Sequence, residues 1–466
     1  MKPKHDSTNS MTRIAIIGAG PAGLYAADAY IKQSDSPVQV DIFDKLPAPY
    51  GLVRYGVAPD HQKIKSVTKL YDRILERPEV RFFGNVNFGV DITRSDLLKH
   101  YDQILYAVGA QTDRHLNIPG EDHKASLSAT EFVAWFNGHP EFRDLDIDLS
   151  GDYAVVIGAG NVALDVARIL ARSEDELRQT DIADYALEKL ANSKIRQIYI
   201  LSRRGPVQTK FTPVELKELT ELEATDIIVE PEALELDEAS LKEAEGDKTI
   251  QRNLEMFHTF AANRTRTKPK AIHFRFLTSP IEIVGQNDGI EIVRVGMNRL
   301  ESAEDGYIQA INTGVTGAIP ADLVLRSVGY RGTPLPDVPF DERRGTIPNE
   351  KGRIIDKDNE AVVPNEYVSG WIKRGPSGVI GTNKPDAVET VKEMITDLSD
   401  TSLRKAVTAD EIVSLLDARD VQYLTYEDWQ KIDEAEIELG VQQGRPRVKV
   451  TSMEEVAEIL NRRVAV

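Results

Sequence analysis

An α/β fold built from two dinucleotide-binding βαβ units is what this sequence predicts, and three observations carry the reading. Residues 18–23 are Gly-Ala-Gly-Pro-Ala-Gly, and residues 158–163 are Gly-Ala-Gly-Asn-Val-Ala. Each turn follows an apolar β-branched run and precedes a helical pattern. A second apolar run closes each unit, at 38–44 and at 197–204. No shorter repeat is visible, so the duplication is that of a nucleotide-binding unit.

In chain order, MKPKHDSTNS (1–10) is polar and lacks the apolar core of a signal peptide, which predicts a disordered tail and a cytoplasmic protein. RIAII (13–17) is the first strand, LYAADAYIKQ (24–33) the first helix and VQVDIFD (38–44) the returning strand. YDQILYAVGA (101–110) reads as a buried strand ending at Gly109, and DLVLRSVGY (322–330) repeats its shape. The second unit runs YAVVI (153–157), turn, LDVARILAR (164–172) and QIYILSRR (197–204). Residues 233–262 are charged and helix-prone, predicting a surface excursion. Beyond residue 400, amphipathic helices alternate with polar loops as a C-terminal extension.

Composition narrows the chemistry. The chain has 466 residues, 41% of them hydrophobic, which is ample for a sizeable core. A net charge of −18 argues against a general nucleic-acid or anionic-membrane binder, so an acidic partner must find a local basic patch. No stretch approaches about 18 uninterrupted apolar residues, so no membrane span is expected. The absence of cysteine removes disulfides, thiolate nucleophiles and cysteine-held zinc or iron–sulfur clusters. No histidine spacing suggests a ligand set, and no metal is predicted.

In the first turn, Gly18 permits the tight bend, Gly20 lets a pyrophosphate approach the backbone, and Gly23 allows close helix–strand packing. The phosphates then meet the unpaired N–H groups of the helix start. Asp44, ending the next strand, can accept from an adenosine ribose. The second turn, Gly158-x-Gly160-x-x-Ala163, is the permitted variant. Its strand ends in Arg203 and Arg204 where an NAD site places an acid, and two guanidinium groups suit the 2′-phosphate of NADP. Two such sites in one chain imply that one holds a flavin and the other delivers hydride. Disulfide reductases are excluded, because they need a redox dithiol.

Longer motifs add to this reading. PYGLVRYGVAPDH (49–61), RFFGNVNFGVDI (81–92), AVGAQTDRHLNIPGED (107–122), GAGNVALDVAR (158–168), SRRGP (202–206), GWIKRGPSGVIGTNKPDA (370–387) and GRPRVKV (444–450) closely resemble the adrenodoxin-reductase-like ferredoxin–NADP reductases. The resemblance implies a bacterial-type NADPH–ferredoxin reductase with non-covalent FAD. It implies two Rossmann-like domains, the NADP domain (113–335) inserted into a discontinuous FAD domain (11–112 and 336–466). It maps FAD contacts onto Ala22, Asp44, Leu52, Phe88, Trp371, Gly378, Val379 and Ile380. NADP contacts fall on Ala159, Gly160, Asn161, Val162, Arg203, Arg204, Glu215 and Gly378, with Arg114 a further candidate. Two departures stand out: Asp44 replaces the usual glutamate, and Ala22 stands where some members have serine.

The residues alone leave His61 open to local capping or pairing. The resemblance instead sets His61 and Glu218 near the nicotinamide and flavin, as the catalytic pair. Backbone N–H groups of 378–381, with a helix beginning near Asp386, are expected to stabilise negative charge on the reduced flavin. The implied partner is a separate ferredoxin, docking on Arg264, Arg266, Lys268 and Lys270 or on Lys373 and Arg374, although the first stretch also reads as a solvated loop. The implied working form is a monomer. Competing functions are an NADPH diaphorase or quinone reductase indifferent to ferredoxin, and a non-catalytic NADP(H) sensor.

Overall fold

The computed structural model describes residues 11–263, 266–286, 289–303, 307–398 and 411–462; the expected tail at 1–10 and Arg264 lie outside these. The first sheet has seven strands, in the spatial order Asn349–Glu350, Arg353–Asp356, Ala361–Val368, Gln103–Tyr106, Thr12–Ile17, Val38–Phe43 and Val80–Phe83. The last five run parallel, and Ile14 pairs with Val40 as Ile16 does with Ile42. Parallel strands of this kind are covered on both faces, which is why RIAII and QILY read as continuous apolar runs rather than alternating ones. One face packs Ile14, Ile16, Val40 and Ile42 against the helix Pro21–Gln33 and its neighbours; the other packs Ile17, Phe43 and Tyr106. Strands from residues 12–106 and 349–368 thus share one sheet.

The second sheet is wholly parallel, ordered Ser126–Ser128, Leu323–Arg326, Tyr153–Ile157, Gln197–Leu201, Lys270–Arg275, Thr225–Val229. Helices cover one face. A three-stranded antiparallel sheet (Thr278–Gln286, Gly289–Ser302, Ile308–Pro320) covers the other, seating Ile283, Val293, Val295 and Ile319 on Val155, Ile157, Leu201 and Val324. The two chain crossings between the large sheets lie side by side, Thr112–Asp113 pairing antiparallel with Tyr330–Arg331.

Two expectations are corrected here. The charged stretch 233–262 is not a surface excursion. Its helix Lys248–Ala262 buries Asn253, Phe257 and Phe260, and Phe257 packs edge-on against Phe211, Phe274 and Phe276. Charges on its outer face mask that stripe in the sequence. The helix after residue 378 starts at Asn383, not near Asp386. Pro385 falls in its first turn, where the missing N–H costs no hydrogen bond.

The C-terminal extension braces both units. Trp429 and Ile432 of the helix Tyr426–Gln443 enter the core of the first unit. The GRPRVKV segment then crosses to the second: Arg445 donates to the Thr180 and Ile182 carbonyls, and buried Lys449 donates to the Asn137 carbonyl at 3.1 Å.

Candidate active site

The first glycine turn is bent as its chemistry requires. Gly18 has φ +112°, and a Cβ there would lie 2.5 Å from the Ala107 carbonyl oxygen. Gly20 caps the helix Pro21–Gln33 and faces Gly51 across a gap that a side chain would fill. A Cβ on Gly23 would run into the Gly18 carbonyl. Tyr50, at φ +83°, donates its N–H to Ala19 O at 2.9 Å and brings the 49–52 loop over the turn; Leu52 then starts the short helix Leu52–Tyr55. From the other end of the chain, Gly370 abuts Ala22, and Asp386 accepts from the Gly370 N–H (2.6 Å) and the Ser369 hydroxyl (3.0 Å). Bare backbone therefore approaches the helix start from two sides, a cradle that fits a pyrophosphate.

Asp44 sits at that turn, accepting from the Ala19 N–H at 2.7 Å and the Leu46 N–H at 3.0 Å. Burial pushes its carboxyl up, against the pull of those two donors. Phe88 is buried, with its ring edge-on to Tyr106. Trp371 leads the short helix Trp371–Arg374, with its ring centroid 5.2 Å from that of Tyr330 and its indole N–H on the Ser377 carbonyl. Gly378 holds φ +80°, Val379 is 65% exposed, and Ile380 begins the turn into the helix Asn383–Asp397.

In the second turn Gly158 has φ +145°, Gly160 caps the helix Asn161–Ala171, and the space beside Gly160 is open. Ala159 and Val162 flank it, and the Asn161 side-chain oxygen accepts from the Thr212 N–H at 2.9 Å. Arg203 is exposed, and Arg204 lies over the Tyr307 ring with 5.3 Å to the centroid. Asn298 donates to the Arg203 carbonyl at 2.8 Å, so the antiparallel sheet pins this turn. Tyr307 was not foreseen, because only the fold brings its hairpin to Arg204. A cation–π contact at an exposed site contributes about 0.5–1 kcal/mol, so Tyr307→Ala is expected to raise KM for NADPH about two- to fivefold in steady-state assays. Arg114 lies exposed beside the crossing strands, its N–H on the Gly329 carbonyl.

The candidate docking cations differ in access: Arg266 and Lys268 stand exposed, while Lys270, Lys373 and Arg374 are half-buried among partners of their own. Half-buried Lys373 is held between Asp386 (3.1 Å) and Glu389 (2.7 Å), and Arg374 donates to Asn383. Lys270 donates to the Leu170 and Arg172 carbonyls at the end of the second fingerprint helix, and burial lowers its ammonium to about 8. Lys268 donates to the Leu222 carbonyl, and Arg266 pairs with Glu230.

Between the two units lies a charged junction. Asp60 and His61 come from the first unit, while Asp165 and Arg168 come from the fingerprint helix of the second. Glu215 and Glu218 share a face of the helix Pro213–Glu218, being three residues apart, and Thr212 caps that helix through the Glu215 N–H. His61 Nε2 is 2.6 Å from Glu218 Oε2 and 3.4 Å from Glu215 Oε2. Burial is the largest influence and disfavours the imidazolium, but the hydrogen bond to Glu218 together with the Asp165 and Asp60 carboxylates outweighs it and raises the pKa of His61. Glu215 is pushed up to about 7, first by burial and then by the nearby Asp165 carboxylate. The ligand atoms of His61, Glu215 and Glu218 lie within 4.8 Å of one another, a spacing that could hold a cation. The Arg168 guanidinium already fills that place, 2.9 Å from Glu218 and 3.6 Å from Glu215.

A carboxyl whose folded pKa is raised contributes stability below its unfolded pKa and loses it as pH rises through the folded one. Between about pH 4.5 and about pH 7 the junction should therefore lose stability, and Glu215→Gln should flatten that slope. Thermal midpoints across this range check it; parallel slopes in both proteins would assign the loss to other groups. Arg168, Asp60 and Asp165 were not singled out from the sequence, although all three lie inside the motifs quoted there.

The description "pyridine nucleotide-disulphide oxidoreductase" matches residues 12–205. The NADPH-ferredoxin reductase FprA of Mycobacterium leprae is 46% identical over 468 residues, covering 98% of this chain and 99% of the relative. The mitochondrial NADPH:adrenodoxin oxidoreductase of Arabidopsis thaliana is 37% identical, covering 95% and 94%. The solved structure of Mycobacterium tuberculosis FprA in complex with NADPH superposes with a TM-score of 0.91 at 46% identity, covering 97% of this chain and 99% of that one. The disulphide in the family description has no counterpart in a chain without cysteine.

Proposed function

The chain belongs to the family of NADPH–ferredoxin reductases, and from that premise we propose how its own residues carry the activity. It is an FAD-dependent oxidoreductase that takes electrons from NADPH and passes them to a ferredoxin. Bound FAD supplies the exchange between two-electron and one-electron chemistry. The residues present fit it: a Cβ at Gly18, Gly23 or Gly370 would clash, and beside Gly20 the bare helix start is left open to a phosphate.

The observation that carries the site assignment is the junction, where Asp60 and His61 of one unit meet Arg168, Glu215 and Glu218 of the other. Ala22, Asp44, Leu52, Phe88, Trp371 and Gly378–Ile380 are the proposed FAD contacts. Ala159–Val162, Arg203, Arg204 and Glu215 are those of NADP, and His61 with Glu218 is the proposed catalytic pair. His61 and Glu218, 2.6 Å apart, hold a proton between them at the site where the nicotinamide and flavin would meet. Domain limits at 11–112, 113–335 and 336–466 are supported by the paired crossings Thr112–Asp113 and Tyr330–Arg331. The proposed working form is a cytoplasmic monomer, which sedimentation tests. Among the described residues no helix is long and apolar enough to cross a membrane.

Reduction of cytochrome c by the purified yellow protein tests the assignment, with NADPH or NADH and with or without ferredoxin. A rate favouring NADPH and rising strongly with ferredoxin supports it. A rate indifferent to ferredoxin favours the diaphorase, and slow flavin reduction by NADPH favours the sensor.

A further inference from the structure

One side chain touches every member of the junction. Arg168 is fully buried on the second fingerprint helix. Its Nε and Nη2 take the Asp60 carboxylate as a bidentate pair at 2.8 and 3.0 Å. Nη2 also lies 2.9 Å from Asp165 and 2.7 Å from His61 Nε2, while Nη1 lies 2.9 Å from Glu218. Asp60 is held a second time by Arg172, at 2.9 Å. The guanidinium fork therefore ties the helix that carries the NADP turn to the loop that carries His61.

The contact with His61 has a chemical consequence. A ring nitrogen carries either one proton or one lone pair. Nε2 therefore cannot donate to Glu218 and accept from Arg168 at once, although both lie within hydrogen-bond reach. Glu218 favours the proton on Nε2, and the positive charge of Arg168 disfavours it. Buried charge of this density is a poor route to stability, since such clusters are often replaceable by apolar side chains without loss. A positioning duty accounts for it better.

We propose that Arg168 is a positioning residue for hydride transfer, pinning the second fingerprint helix to the Asp60–His61 loop and deciding whether His61 Nε2 donates to Glu218 or accepts from the guanidinium. The inference rests on the reading of His61 and Glu218 as the catalytic pair. Arg168 acts through them, and the groups facing His61 are Asp60, Asp165, Arg168, Glu215 and Glu218.

The test is stopped-flow reduction of the FAD-loaded enzyme by NADPH over a range of pH, for Arg168→Gln, Arg168→Lys, Asp60→Ala and His61→Gln. Misplacement by about 1 Å costs about 100-fold in rate, so Arg168→Gln should slow flavin reduction about that much. A lost positioning contact should leave NADPH affinity within about threefold. Removing the positive charge should also move the pH inflection upward, because Arg168 opposes protonation of both His61 and Glu215. Arg168→Lys should restore the inflection but not the rate, since an ammonium lacks the fork that spans Asp60 and His61. Flavin reduction by Arg168→Gln at the wild-type rate, or a loss confined to NADPH affinity with an unmoved inflection, overturns the proposal. If Arg168→Gln cannot retain FAD, Asp60→Ala decides: it keeps the guanidinium but removes both of its acceptors on the loop, and a wild-type rate there overturns the proposal equally. His61→Gln separates the two readings. If it leaves rate and pH profile unchanged, the site assignment itself fails; if it changes them while Arg168→Gln does not, only the present inference fails.

Discussion

Replacing Arg203 and Arg204 together by alanine is expected to cut kcat/KM for NADPH by about 10²–10⁴ while leaving kcat/KM for NADH nearly unchanged. A hydrogen bond to a charged group contributes about 1.5–3 kcal/mol, and two such contacts to the 2′-phosphate together reach about 3–6 kcal/mol. The lower end is the better guide for Arg203, which stands exposed to water and salt. The turn itself should survive the substitution. Asn298 holds the Arg203 carbonyl, and the Ser202 hydroxyl and the Leu277 N–H hold the Arg204 carbonyl, so the side chains do not shape the backbone. Steady-state flavin reduction with each nucleotide checks the outcome. Equal losses with NADPH and NADH would show that the arginines serve the fold or a shared part of the nucleotide, not its 2′-phosphate.

The two glycine turns were legible in the sequence because their chemistry is local: a bend at Gly18, an open approach at Gly20 and a packing contact at Gly23 are fixed within six residues. The junction was half legible. His61, Glu215 and Glu218 were named through the family resemblance, whereas Arg168 reads as one more charge on an amphipathic helix until the Asp60 loop is laid against it. The strands within residues 278–320 were missed, although the alternating runs IEIV (281–284) and IEIVRV (290–295) flank an Asn-Asp-Gly sequence at 287–289. The outer strand Ile308–Pro320 is exposed along most of its length, and only its neighbour Gly289–Ser302 alternates inward. Lys270 and Lys373 show the opposite failure. Their charge is plain in the sequence, but the backbone carbonyls of Leu170 and Arg172, and the carboxylates of Asp386 and Glu389, meet them only in the fold.

Two valine substitutions should separate the cofactors. In Gly158→Val the new Cβ is driven into the Ser327 carbonyl at a backbone φ of +145°, a conformation that a β-branched residue does not tolerate. In Gly23→Val it is driven into the Gly18 carbonyl, opening the helix Pro21–Gln33 away from its strand. Both clashes are with backbone, so no side-chain rotation relieves them, and several kcal/mol are at stake in each turn. The turns belong to different sheets with separate cores. Gly158→Val is therefore expected to purify yellow, to be reduced by dithionite, and to lose reduction by NADPH by about 10³ or more, since overpacking here removes both the phosphate cradle and the helix start. Gly23→Val is expected to purify colourless while its second unit still binds NADP⁺, detected by isothermal titration. A colourless Gly158→Val protein would mean that the second turn also supports the first cofactor, through the junction at Asp60 and Arg168 that joins the two units.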